Sequence, residues 1–162
     1  MIGRYAVLAG RIRQDVAELE GVVNRAERAV QAGRQPAPDQ DLFLDSAALN
    51  VHDFYSGLER IFLQIASSVD ESVPAGPDWH RELLRQMTIE IPGRRSQVLD
   101  PGVAAVVDEF LRFRHVVRHN YAFALEPERI ERLASRLPAA HRHVAAALIA
   151  FATLLDELAR DE

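Results

Sequence analysis

Positions 112–121 read Arg-Phe-Arg-His-Val-Val-Arg-His-Asn-Tyr, which places three Arg, two His, an Asn and a Tyr in ten residues. Such a mixture suits a phosphodiester. Guanidinium groups neutralise the non-bridging oxygens as charge accumulates, and an imidazole that titrates near neutrality moves protons to or from ribose oxygens. On a helix turning about 100° per residue, with Arg114 at zero, Tyr121 falls near −20°, Arg118 near 40°, His115 near 100° and His119 near 140°. The polar groups share one broad arc. Beside it runs an apolar stripe of Phe113, Val106, Val117, Phe110, Val103 and Val107, so the cluster is expected to flank a packed surface. An exposed basic helix end, whose Arg and His complement the helix dipole, explains the same composition, and the residues alone leave both readings open.

Other chemistries find less support. A helical di-metal site would need Glu-x-x-His pairs, and the sequence contains none. His115 and His119 have the spacing of a zinc pair but lack the intervening glutamate of the metalloprotease motif. Gly-x-Gly-x-x-Gly and Gly-x-Ser-x-Gly are both absent, as is cysteine. No metal and no cofactor are therefore expected. His141 and His143 should be solvent-exposed, and His52, Tyr55 and Glu59 should serve helix packing. Arg118, Arg94 and Arg95 are candidate guides for a nucleic-acid backbone.

These residues need elements to position them. The chain has 162 residues, 48% hydrophobic and 27% charged, enough for one core and short for two, so a single domain over 1–162 is expected. With 19 basic against 24 acidic residues the net charge is −5, which argues against a broad nucleic-acid surface and leaves room for a local one. Every basic residue is Arg. The longest apolar run, 144–151, is about half of a bilayer crossing, and the first residues lack a signal-peptide pattern. A cytoplasmic protein without membrane contact is expected.

Apolar residues recur at helical spacing almost throughout. A first helix is predicted over 4–32 from Leu8, Ile12, Val16, Leu19, Val23, Ala26 and Val30, ended by the Gly and two Pro of 33–38. A second spans about 39–69, with Leu44, Ala48, Val51, Tyr55, Leu58, Phe62, Ile65 and Val69 on one face. Asp78 should cap a short third helix, 79–89, that buries Leu83, Leu84 and Met87. Residues 92–96 form a loop, and Asp100-Pro101 opens a fourth helix reaching about 124. Pro127 starts the fifth, which Pro138 should kink or interrupt. The sum is an all-α, up-and-down bundle of four to six helices. The broad apolar surface of the fourth helix favours a homodimer.

The order Arg114, four residues, His119, one residue, Tyr121 resembles the R-x4-H-x-Y motif of the HepT-like toxins of the HEPN superfamily, with His115 as the polar residue after the Arg. The helix containing Asp53–Phe62, the short helix beginning near His80 and the Pro-Gly-Arg loop follow in the order seen in that family, and the likeness spans roughly 4–158. It implies a HEPN-like bundle acting as a homodimeric, metal-independent ribonuclease toxin of a type VII-like toxin–antitoxin system. Arg114 would bind the scissile phosphate and His119 would serve as general acid or base, with His115, Arg118 and Asn120 accessory. Tyr121 would be AMPylated by an MntA-like nucleotidyltransferase antitoxin, blocking the RNA substrate. Arg114 and His119 lie about 140° apart on an ideal helix, so a complete site needs local distortion or a second chain. The rival expectation is a non-catalytic HEPN-type helical dimer that binds a nucleotide or a protein partner. A purely structural bundle is the third.

Overall fold

A computed structural model describes residues 3–119 and 126–161, with Arg118 and His119 described in backbone only. The described residues form five α-helices: α1 (Arg4–Gly33), α2 (Gln40–Ile65), α3 (Trp79–Met87), α4 (Pro101–His119) and α5 (Pro127–Arg160), with a π turn, Ala66–Asp70, continuing α2. No strand occurs among the described residues, and Ile91 and Arg95 form an isolated bridge. This is the all-α bundle expected.

The α1 stripe Leu8, Ile12, Val16, Leu19, Val23, Ala26 and Val30 is buried throughout, because residues three and four apart share a helix face and that face packs on α2 and α5. Both neighbours run antiparallel to α1. Arg25 meets Asn50 while Asp15 meets Gln64, and Arg34 pairs with Glu131 while Arg13 pairs with Asp156. At Gly57 a Cβ would sit 2.5 Å from Leu19 Cδ2, so a larger residue there would force the Leu19 side chain to shift. Between α2 and α4 the core is aromatic: Phe54 and Phe110 meet edge-on at 5.4 Å, a contact worth about 1 kcal/mol beyond its buried area.

Three boundaries differ from the sequence pattern. Helix α2 gives way to the π turn at Ala66, whose wider winding closes on Glu71 in the left-handed region (φ 54°) and leaves Asp70 buried. Asp78 stands at the N-cap of α3 without a side-chain capping bond, whereas Asp100 does cap α4, accepting from the Val103 amide at 2.8 Å. Finally, α5 runs unbroken through Pro138. One missing amide donor is tolerated there because Leu137 and Ala140 on either side are buried in the bundle. One window of α5 has the length and hydropathy of a membrane crossing. Its Val144, Leu148, Phe151 and Leu155, however, are buried within the bundle. The apolar stripe of α4 is likewise covered within the chain, fully at Val107, Phe110 and Phe113 and partly at Val103, Val106 and Val117.

Candidate functional site

Helix α3 is too short to hold itself and is fastened from beneath. Arg95 donates to both oxygens of Asp70, at 2.6 and 2.8 Å, and to the carbonyls of Gln86 and Ile89 at the end of α3. The Met87 carbonyl accepts from the amides of Val98 and Leu99. Leu83, Leu84 and Met87 are buried as expected. So fixed, the first turn of α3 stands against the outer face of α4.

Between them opens a cleft of about 450 Å³. α3 and the residue before it supply Asp78, His80 and Arg81, α4 supplies Arg112, Arg114 and His115, and the first turn of α5 supplies Arg129. Four guanidinium groups against one carboxylate make a local positive potential in an acidic chain, and the N-terminal dipoles of α3 and α5 add to it. Arg112 is held at 2.7 Å by Asp108 one turn back. Arg114 is half-buried, and its Nε is sealed from solvent with no hydrogen-bond partner among the described residues. A buried guanidinium N–H without an acceptor costs free energy, so packing alone does not account for the placement of Arg114.

Behind the cleft sits a buried carboxylate. Glu59 Oε2 accepts from the Tyr55 hydroxyl at 2.9 Å and lies 2.6 Å from His80 Nδ1. The His80 ring also stacks on Trp79, with centroids 3.5 Å apart. Burial, with the Glu59 charge second, pushes the Tyr55 phenol far above its ordinary range, and the Arg114 charge opposes that rise. Arg114 is thus within electrostatic reach of the Tyr55–Glu59 pair.

Of the residues singled out in the sequence, Arg114 and His115 come together in this cleft, His115 exposed at its rim. His119 closes α4, and the side chains of Arg118 and His119, together with Asn120 and Tyr121, lie outside the described residues. Arg95 is not a backbone guide: it is consumed by Asp70 in the interior, because a short α3 needs that anchor. Arg94 is tied to the Val69 carbonyl and Glu71. His143 is exposed as expected, but His141 is half-buried, edge-on to Phe54 at 6.1 Å. Tyr55 and Glu59 are indeed packed, yet Glu59 also reaches the cleft through His80, which sequence reasoning missed. The available signal was a carboxylate set among the apolar positions Leu58, Ile61 and Phe62.

Other openings of comparable or larger size, about 440 to 610 Å³, lie elsewhere on the described residues. One of about 610 Å³ lies along Arg28, Ala32 and Phe43, and one of about 440 Å³ has Asp15, Glu18 and Asp53 opposite Arg25 and Arg60. The first gathers no acid–base pair, and in the second acids and bases offset one another. Among the described residues no three His, Asp or Glu side chains converge as metal ligands.

No curated protein and no solved structure matches the chain. A family model described as HepT-like protein matches residues 46–155, which include most of α2, all of α3 and α4, the whole lining of the cleft and most of α5. By that match over well more than half its length, the chain belongs to the HepT-like family of the HEPN superfamily.

Proposed function

We propose that the chain, as a single HEPN-type domain over 1–162, is a metal-independent endoribonuclease toxin that acts in the cytoplasm as a homodimer. Arg114 binds the scissile phosphate and neutralises the charge that gathers on its non-bridging oxygens. His119 transfers a proton in the same step. His115, Arg118 and Asn120 line the path of the RNA. AMPylation of Tyr121 by an MntA-like nucleotidyltransferase silences the enzyme, since added phosphate competes for the same guanidinium groups.

The observation that carries this reading is Arg114: a buried, unpartnered guanidinium N–H in a cleft lined by four Arg, within an acidic chain. A structural arginine of this bundle looks different, as Arg95 illustrates. Single-stranded loops are the expected substrate, because their bases can be splayed out whereas those of a duplex are stacked and paired.

Purified protein incubated with total cellular RNA in EDTA tests the reading. Wild type is expected to cut, and His119→Ala, folded by circular dichroism, is expected to lose the activity. Intact RNA with unmodified wild type, its mass verified, would overturn the nuclease reading in favour of a nucleotide- or partner-binding dimer.

A further inference from the structure

His80 is held on one ring nitrogen and open on the other. Nδ1 lies 2.6 Å from Glu59 Oε2, the ring stacks on Trp79, and among the described residues Nε2 makes no hydrogen bond. The tautomer follows from the partners. Tyr55 keeps its proton and donates to Glu59 Oε2, so that oxygen is an acceptor. Nδ1 must then donate to the same oxygen, and the lone pair resides on Nε2. A hydroxyl, a carboxylate and an imidazole in series fix one tautomer and one orientation, and the carboxylate stabilises the imidazolium when Nε2 takes a proton.

Packing alone does not call for this arrangement. Burying Glu59, only 7% exposed, carries a desolvation cost that an apolar pair of similar volume would avoid. The cost falls at the wall of the cleft that contains Arg114. A base with a defined lone pair and a guanidinium lacking an acceptor thus share one opening.

We propose that His80 is a catalytic residue of this site, the general base that takes the proton of the ribose 2′-hydroxyl beside the scissile phosphate, and that Glu59 is its positioning residue. The inference rests on the ribonuclease reading above. In the step, the 2′-oxygen forms a bond to phosphorus as its proton passes to His80 Nε2. The bond from phosphorus to the 5′-oxygen breaks, and that leaving oxygen receives a proton from His119. The products are a 2′,3′-cyclic phosphate and a 5′-hydroxyl; His80 then releases its proton to water and His119 regains one, so no co-reactant is consumed.

The test uses two short RNAs of the same sequence, one ordinary and one with sulfur replacing the 5′-bridging oxygen, a leaving group that needs no protonation. His80→Ala is expected to lower kcat by about 10²–10⁴-fold on both RNAs with little change in KM. His119→Ala should lose as much on the ordinary RNA and regain most of it on the sulfur RNA. His80→Asn, which keeps an amide donor for Glu59 and lacks a base, should repeat the alanine result if alanine disturbs the fold. Glu59→Gln keeps an acceptor for Tyr55 and removes the charge, and should lower kcat by about tenfold or more without moving KM.

Wild-type cutting that His80→Asn leaves intact overturns this inference and spares the nuclease reading. Recovery of the His80 variants on the sulfur RNA makes His80 the acid and overturns it equally. Wild type that cuts neither RNA removes both.

Discussion

Asp70 and Glu59 are buried carboxylates on one continuous helical rod, and each fastens α3. At Asp70 every valence is used. The five N–H donors of Arg95 meet five acceptors, two on Asp70 and one each on the carbonyls of Ile89, Ser96 and Gln86. Both side chains of that pair are fully buried. At Glu59 the partner is a histidine with one nitrogen bound and one to spare, facing a cleft. A saturated buried ion pair is a fastener, whereas one with a leftover donor or acceptor beside an opening is poised for a ligand. By the same criterion Arg95 is structural, whereas Arg114, a residue of the cleft wall, keeps an unpartnered Nε.

The Asp70–Arg95 pair should be the most sensitive of these contacts to substitution. Asp70→Ala leaves the Arg95 guanidinium buried without a counter-charge, which should cost about 3–5 kcal/mol and lower Tm by roughly 10 °C. Replacing both partners by apolar residues, Asp70→Leu with Arg95→Met, should return most of that loss, because the cost lies in the orphaned charge. Thermal unfolding measures both, and an unchanged Tm in Asp70→Ala would show that the pair is not the anchor of α3. At the other carboxylate the effect should be smaller. Tyr55→Phe keeps the ring in the core and deletes one donor to Glu59, so unfolding in urea should show a loss of about 1–2 kcal/mol. A loss as large as that of Asp70→Ala would make the two carboxylates equivalent fasteners and erase the distinction.

How far the sequence carries the argument depends on the range of each interaction. The α1 stripe, the Asp100 cap and the α4 cluster are local patterns, set by residues three or four apart, and each was readable. Arg94 and Arg95 are identical neighbours in the sequence, and only the fold turns one outward to Glu71 and the other inward to Asp70, 25 residues away. Glu59 and His80 are 21 residues apart on different helices, so no periodicity joins them. The π turn that sends Asp70 inward is a change of winding without a residue signature of its own. Arg114 and His119 could be read together because both lie on α4; the base proposed for the same reaction comes from another helix, and tertiary contact alone reveals it.

His141, like His80, is partly withdrawn from water, but its neighbour is the edge of the Phe54 ring at 6.1 Å, and among the described residues no carboxylate hydrogen-bonds it. Burial lowers its pKa, with the charge of Glu20 opposing. Above the unfolded value of about 6.5 both states hold the residue neutral, so its contribution to stability is present in full. As the pH falls through that value toward the lower folded one, the unfolded chain binds the proton first and stability is lost. Wild-type Tm should therefore decline from about pH 7 to pH 5 more steeply than that of His141→Gln, the difference between the two slopes isolating this residue from every other titrating group. Parallel slopes would mean that burial beside Phe54 does not hold His141 neutral.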